Sequence, residues 1–135
     1  MNFGPESRQV TEADGIATAI GVNADEQIYT KSMQTTYGEV FALAIKATGT
    51  TPNVKIHLQQ SHVPPTTEGA SDAKWVVPTG VTDPLLTLTD TNWHHIAISP
   101  IALKYMRLHL DGQAGSGADV TIEAHISRQE KWGRD

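Results

Sequence analysis

The sequence contains no cysteine. That excludes a disulfide scaffold, a thiolate-held zinc or iron–sulfur centre, and a cysteine nucleophile. Charge is also scarce: 19% of residues are ionised, against a usual share of about 25%. A charge-extended disordered chain is excluded on that ground. The ten lysines and arginines form no run, and the net charge is −5. Nucleic acid and anionic membrane surfaces are held by clustered positive charge, so neither is an expected partner. No apolar stretch approaches the ~20 residues that span a bilayer. The opening residues, MNFGPE, carry neither the basic nor the apolar region of a secretory signal. Synthesis in a cytoplasm is therefore expected.

The 135 residues suffice for one domain. A domain of that size buries about two-thirds of the surface its unfolded chain exposes, so it stands without staples. Threonine is the commonest residue, with sixteen copies, which favours strands over helices. Period-two alternation recurs along the chain, and helical periodicity hardly appears. In residues 105–110, YMRLHL, the apolar Met106, Leu108 and Leu110 alternate with Tyr105, Arg107 and His109. In residues 120–128, VTIEAHISR, the apolar Val120, Ile122, Ala124 and Ile126 alternate with Thr121, Glu123, His125 and Ser127. A Gly-rich connector, DGQAGSGAD, lies between them, which predicts a hairpin. The register that suits both faces sets Met106 opposite Ala124 and Leu108 opposite Ile122. It also sets Arg107 opposite Glu123, a charge pair that marks the register.

Residues 40–47 and 54–60 alternate in the same way, with Phe41, Leu43, Ile45, Val54, Ile56 and Leu58 inward. The turn cluster ATGTTPN between them predicts a second hairpin. Residues 61–74 are polar and contain Pro64 and Pro65, as in a long surface excursion. Further strands are expected at 16–20, 27–33, 75–77, 85–88 and 93–99, and one turn of 3₁₀ helix at 100–104. The count of about eight strands, with turn signals every 8–12 residues, predicts an all-β protein: an antiparallel β-sandwich or jelly roll. The expected division is an N-terminal arm at 1–14, the sandwich at 15–128 and a C-terminal tail at 129–135.

Little in the sequence points to catalysis. His94 and His95 are adjacent, so on a strand they point to opposite faces. His57, His109 and His125 fall on outer faces, where a zinc site needs two of them to converge across strands. Asp111 and Asp119 flank one Gly-rich loop without calcium-loop spacing. No Gly-x-Ser-x-Gly, His-Glu-x-x-His or phosphate-loop pattern occurs. Neither an enzyme nor a cofactor is expected. Trp75 and Trp93 stand at strand entrances, where an exposed indole can serve as a platform for a sugar ring. Trp132 lies in the charged tail, beyond the last strand, where it is better placed to meet a neighbouring subunit.

The segment ATGTTPNVKIHLQQSH, its following polar loop and KWVVP resemble a pattern of small phage virion proteins. So does the closing stretch ISPIALKYMRLHLDGQAGSGADVTIEAHIS, with its aromatic–x–Arg–Leu strand at Tyr105-Met106-Arg107-Leu108. The resemblance covers residues 38–128. It implies a jelly-roll-like structural subunit located on the virion, such as a capsid decoration or accessory protein. It also implies a homo-oligomer, with a trimer among the expected states, whose partners are other capsid or tail proteins. It transfers no catalytic residue. Ordering a terminal arm costs roughly 1–2 kcal/mol per residue in backbone entropy. Phe3 and Trp132 are the large apolar side chains able to anchor the two arms. A carbohydrate-binding module using Trp75 or Trp93 is the alternative, and a small hydrolase with paired carboxylates is a third.

Overall fold

In a computed structural model the protein is described over residues 6–9, 20–30, 32–34, 40–62, 75–78, 81–98 and 105–129. Ten strands run through them, and no helix occurs among the described residues. They are β1 (Glu6–Gln9), β2 (Ile20–Gly21), β3 (Gln27–Tyr29), β4 (Met33–Gln34) and β5 (Val40–Thr48). Then come β6 (Val54–Ser61), β7 (Leu86–Leu88), β8 (His94–Ile98), β9 (Tyr105–Gly112) and β10 (Thr121–Gln129). All pairings are antiparallel and fall into two sheets. One has the order β1-β10-β5-β8, with β2 also on β10; the other has the order β3-β9-β6-β7, with β4 also on β9.

Two short strands therefore share each of two edge positions, and ten strands fill eight positions. Numbered along the chain, the first position pairs with the eighth and the second with the seventh. The third pairs with the sixth and the fourth with the fifth. The chain is thus one long hairpin, rolled so that successive pairs fall in alternate sheets. Two further pairings, β5 with β10 and β6 with β9, close each sheet at its centre.

The inward alternation holds strand by strand. Leu43, Ile45, Val54, Ile56, Leu58, Met106, Leu108, Leu110, Val120, Ile122 and Ala124 are all buried in one core between the sheets. Such side chains contribute about 1.5–3 kcal/mol each when fully removed from water.

The two expected hairpins are corrected by the pairing. Residues 105–110 do not face 120–128. Met106 is opposite Gln60 and Leu108 opposite Leu58, while Ala124 is opposite Ile45 and Ile122 opposite Ala47. Nor do residues 40–47 face 54–60, because β5 and β6 lie in different sheets. The supposed register pair separates accordingly: Arg107 is opposite Gln59, and Glu123 is opposite Lys46. The physical reason is that alternation specifies which face is buried but not which neighbour shares the ladder. Both sheets of a sandwich turn the same kind of face inward.

The connectors that cross between sheets explain the choice. Residues 22–26, 49–53 and 113–120 bond to one another at one end of the sandwich. Val22 N–H donates to Val120 O at 3.0 Å, Gln113 N–H to Asn53 O at 2.9 Å and Gly117 N–H to Thr51 O at 3.2 Å. Asp119 accepts from Thr50 N–H at 2.9 Å and from Thr50 Oγ1 at 3.0 Å. Gly49 adopts φ +107°, and an added Cβ there would meet the Asp119 carbonyl group. The Gly-rich loop is therefore a crossing rather than a hairpin turn, and its glycines permit backbone-to-backbone contact.

Residues Glu6–Gln9, expected within an arm, instead form β1 on the edge of the first sheet. Gln129, expected in the tail, ends β10. Trp75–Pro78 makes only a single bridge, Val76 to Gln60. Ser61, expected to open the excursion at 61–74, instead ends β6. The rest of that excursion from 63 onward, the expected 3₁₀ turn at 100–104, Phe3 and Trp132 lie outside the described residues.

Candidate functional site

The outward residues of β3, β9 and β6 build a row of rings across the second sheet. Tyr29 is opposite His109, which is opposite His57. The Tyr29 and His109 rings stack at 4.5 Å between centroids, and those of His57 and His109 at 5.0 Å. The convergence of two outer-face histidines considered from sequence thus occurs, between His57 and His109.

Carboxylates bracket the row at its β6 end. His57 Nδ1 lies 2.6 Å from Asp83 Oδ1, and its Nε2 lies 3.4 Å from Asp111 Oδ2. With both nitrogens protonated, His57 can donate to both carboxylates. His109 Nε2 lies 3.1 Å from Gln27 Oε1, which also accepts from the Tyr29 hydroxyl at 3.4 Å. Burial, reinforced by the neighbouring His57, holds the His109 imidazole below its ordinary pKa. Among the described residues, no group of three or more His, Asp or Glu is placed to hold a metal ion.

The next row centres on Arg107. Its guanidinium carbon lies 4.2 Å from the Tyr29 ring centroid and 4.3 Å from that of Trp75. Its Nε donates to Gln59 Oε1 at 2.8 Å. Arg107 points outward as the alternation required, yet it is only 4% exposed. Two aromatic rings cover it, and this desolvation lowers its pKa. Cation–π contacts are worth roughly 0.5–1 kcal/mol at exposed sites and about 2 kcal/mol or more when desolvated, as here. Trp75 is half-buried; one part of its ring is occupied by Arg107, and its Nε1 meets no hydrogen-bond partner among the described residues.

Trp93 is differently placed. It stands on the outside of the other sheet and is 42% exposed. Lys46 Nζ lies 5.0 Å from its ring centroid, and the His125 ring is tilted against it at 6.0 Å. Glu123, opposite Lys46, lies 2.8 Å from His125 Nε2 through its Oε2. At the strand entrance His94 Nε2 and Asp90 Oδ1 are 2.9 Å apart. That contact, with the Asn92 amide, depresses the Asp90 carboxyl.

Of the residues singled out from sequence, Trp93 is an exposed indole, Trp75 is largely covered, and Arg107 and Glu123 serve separate sheets. Asp111 and Asp119 do not act together: one faces His57 and the other fastens Thr50. The thread of rings joining Trp75, Arg107, Tyr29, His109 and His57 was not anticipated. Its one sequence signal is the chemistry of the outward positions in QIY, YMRLHL and VKIHLQQ. Asp83 had no such signal, since it arrives from outside any strand. Comparisons of this chain with family models, curated proteins and solved structures found no match.

Proposed function

We propose that the chain is a structural virion protein, an accessory or capsid decoration subunit that binds and stabilises a phage particle. The observation that carries this reading is the pairing of the first strand with the last. Glu6 is opposite Arg128, so the segments bearing Phe3 and Trp132 join the sandwich at one corner of one sheet. Two apolar anchors attached at neighbouring points can engage a single docking surface on a particle. Each arm anchored together with the other also lowers the entropy still to be lost by its companion.

The eight-position rolled hairpin supports a jelly-roll connectivity, a scaffold used by capsid proteins. The resemblance over residues 38–128 points the same way. Cross-paired outer faces, such as the Trp75–Arg107–Tyr29 stack, suit a rigid block. Assembly into a homo-oligomer, a trimer among the options, belongs to the same proposal.

The test is co-sedimentation of the chain with density-gradient-purified particles from cells that produce both. Phe3→Ala with Trp132→Ala is expected to remove the protein from the particle fraction while its far-UV circular dichroism is unchanged. Retention of the double variant at wild-type occupancy overturns the docking model.

One observation favours a second reading, a carbohydrate-binding module. Trp93 offers an exposed ring beside the polar Lys46, Glu123 and His125. Tryptophan fluorescence titrated with a glycan panel tests it. A saturable shift that disappears in Trp93→Ala supports it, and an unresponsive spectrum removes it.

A further inference from the structure

The ring row on the second sheet has a property that neither reading uses. Strand β3 is three residues long, and its two outward side chains, Gln27 and Tyr29, both rest on His109. Gln27 accepts from His109 Nε2, and the Tyr29 ring covers the imidazole. Beyond the side chains, β3 is flanked by Thr30 N–H donating to Leu108 O at 2.9 Å and Gly112 N–H donating to Glu26 O at 2.8 Å. Leu108 N–H donates to Thr30 Oγ1 at 2.8 Å.

We propose that His109 is an acid-operated latch: uptake of a second ring proton releases edge strand β3 from β9. With Nε2–H given to Gln27, the incoming proton goes to Nδ1. The imidazolium so formed lies in a row with His57 and beside Arg107, and it is shielded from water by Tyr29.

The charged and titratable groups facing it come from every neighbouring strand and loop. Arg107 and Asp111 share β9 with it; His57 and Lys55 lie on β6, Lys55 directly opposite Asp111; Asp83 lies on the loop before β7. Both carboxylates contact His57; they also attract a proton to His109, but burial, His57 and Arg107 outweigh them. Strand β3 supplies only the neutral Gln27 and Tyr29, so it offers the new charge no counterion. Swinging β3 away restores water to the imidazolium, while the remainder of the row stays on β9 and β6. The lowered pKa of His109, caused first by burial, has the sign this requires. Each unit by which the closed pKa lies below the open one favours the open form up to tenfold on acidification.

Hydrogen exchange by NMR on the full chain, from pH 7.5 to 5.0 and corrected for intrinsic rates, tests this. Protection of the amides of Ile28, Thr30 and Gly112 is expected to fall severalfold while that of Leu58 and Ile122 is unchanged. His109→Gln, which keeps a donor for Gln27 but cannot titrate, is expected to abolish the selective fall; His95→Gln on the other sheet is not. In the wild type, the His109 ring signals are expected to titrate below an ordinary histidine. A titration at or above the ordinary value, an unchanged β3, or an equal fall in His109→Gln overturns the latch.

Discussion

Gly112→Ala probes the crossing of the two sheets directly. Gly112 ends β9, and its N–H donates to Glu26 O at 2.8 Å. A Cβ built there overlaps the Asn23 carbonyl oxygen and comes within 3.1 Å of Glu26 O. Both neighbours are backbone, so no side chain can rotate aside. Relief requires the 22–26 connector to withdraw by about an ångström, an overpacking cost of about 1–3 kcal/mol. That connector is itself tied by Glu26 N–H to Asn23 O at 3.2 Å and by Asn23 N–H to Glu26 Oε1 at 2.9 Å. Loss of one or two of these bonds adds about 0.5–1.5 kcal/mol each. The expected destabilisation is about 1.5–6 kcal/mol in all, a large part of a typical domain's stability.

Gly21→Ala supplies the contrast. Nothing lies within 4 Å of its Cβ position, and its φ is outside the left-handed region. A change of at most about 1 kcal/mol in either direction is expected. Urea unfolding followed by circular dichroism measures both, with an unchanged slope required for the comparison. Equal effects of the two substitutions, or a Gly112→Ala cost below about 1 kcal/mol, would refute the close-approach argument.

Other expectations follow from the same geometry. Leu108→Ala, at the centre of the core, is expected to cost about 2–5 kcal/mol in urea unfolding. Arg107→Lys keeps the charge but loses the planar stack on Tyr29 and Trp75, and about 1–2 kcal/mol of stability with it, read by the same assay. For His109 the folded pKa lies below the unfolded value of about 6.5. Its stabilising contribution is therefore complete above that pH and is lost as pH falls through it toward the lower folded value. The urea midpoint should drop over that interval in the wild type and drop less in His109→Gln. Asp119 is lowered by its two bonds from Thr50, so its contribution disappears only in stronger acid, below the ordinary aspartate range. Asp119→Asn should remove the part of the acid transition that it supplies.

The inward faces of the strands were legible because alternation is a local property. Each of Val54, Ile56 and Leu58 needs only its own strand to declare its side. Strand partners were not legible in the same way. A Gly-rich loop after β9 reads as a hairpin, yet Gly112 and Gly117 serve contacts with Asn23 and Thr50, far away in sequence. The outward His57 and His109 were recognised as exposed-face residues, but their meeting depends on β6 pairing with β9. Arg107 shows the same limit. Its outward position was readable, and its burial was not, because Tyr29 and Trp75 cover it from other strands.

A cysteine-free chain makes the rolled topology open to one decisive measurement. Lys46 and Glu123 are opposite one another on neighbouring strands, whereas Arg107 and Glu123 belong to different sheets. Paired cysteines placed at 46 and 123 are within the reach of a disulfide, about 4.4–6.8 Å between Cα atoms. With this topology, Lys46→Cys with Glu123→Cys is expected to form an intramolecular disulfide under mild oxidation of the folded protein, and Arg107→Cys with Glu123→Cys is not. Bridging of 107 to 123 in place of 46 to 123 contradicts it.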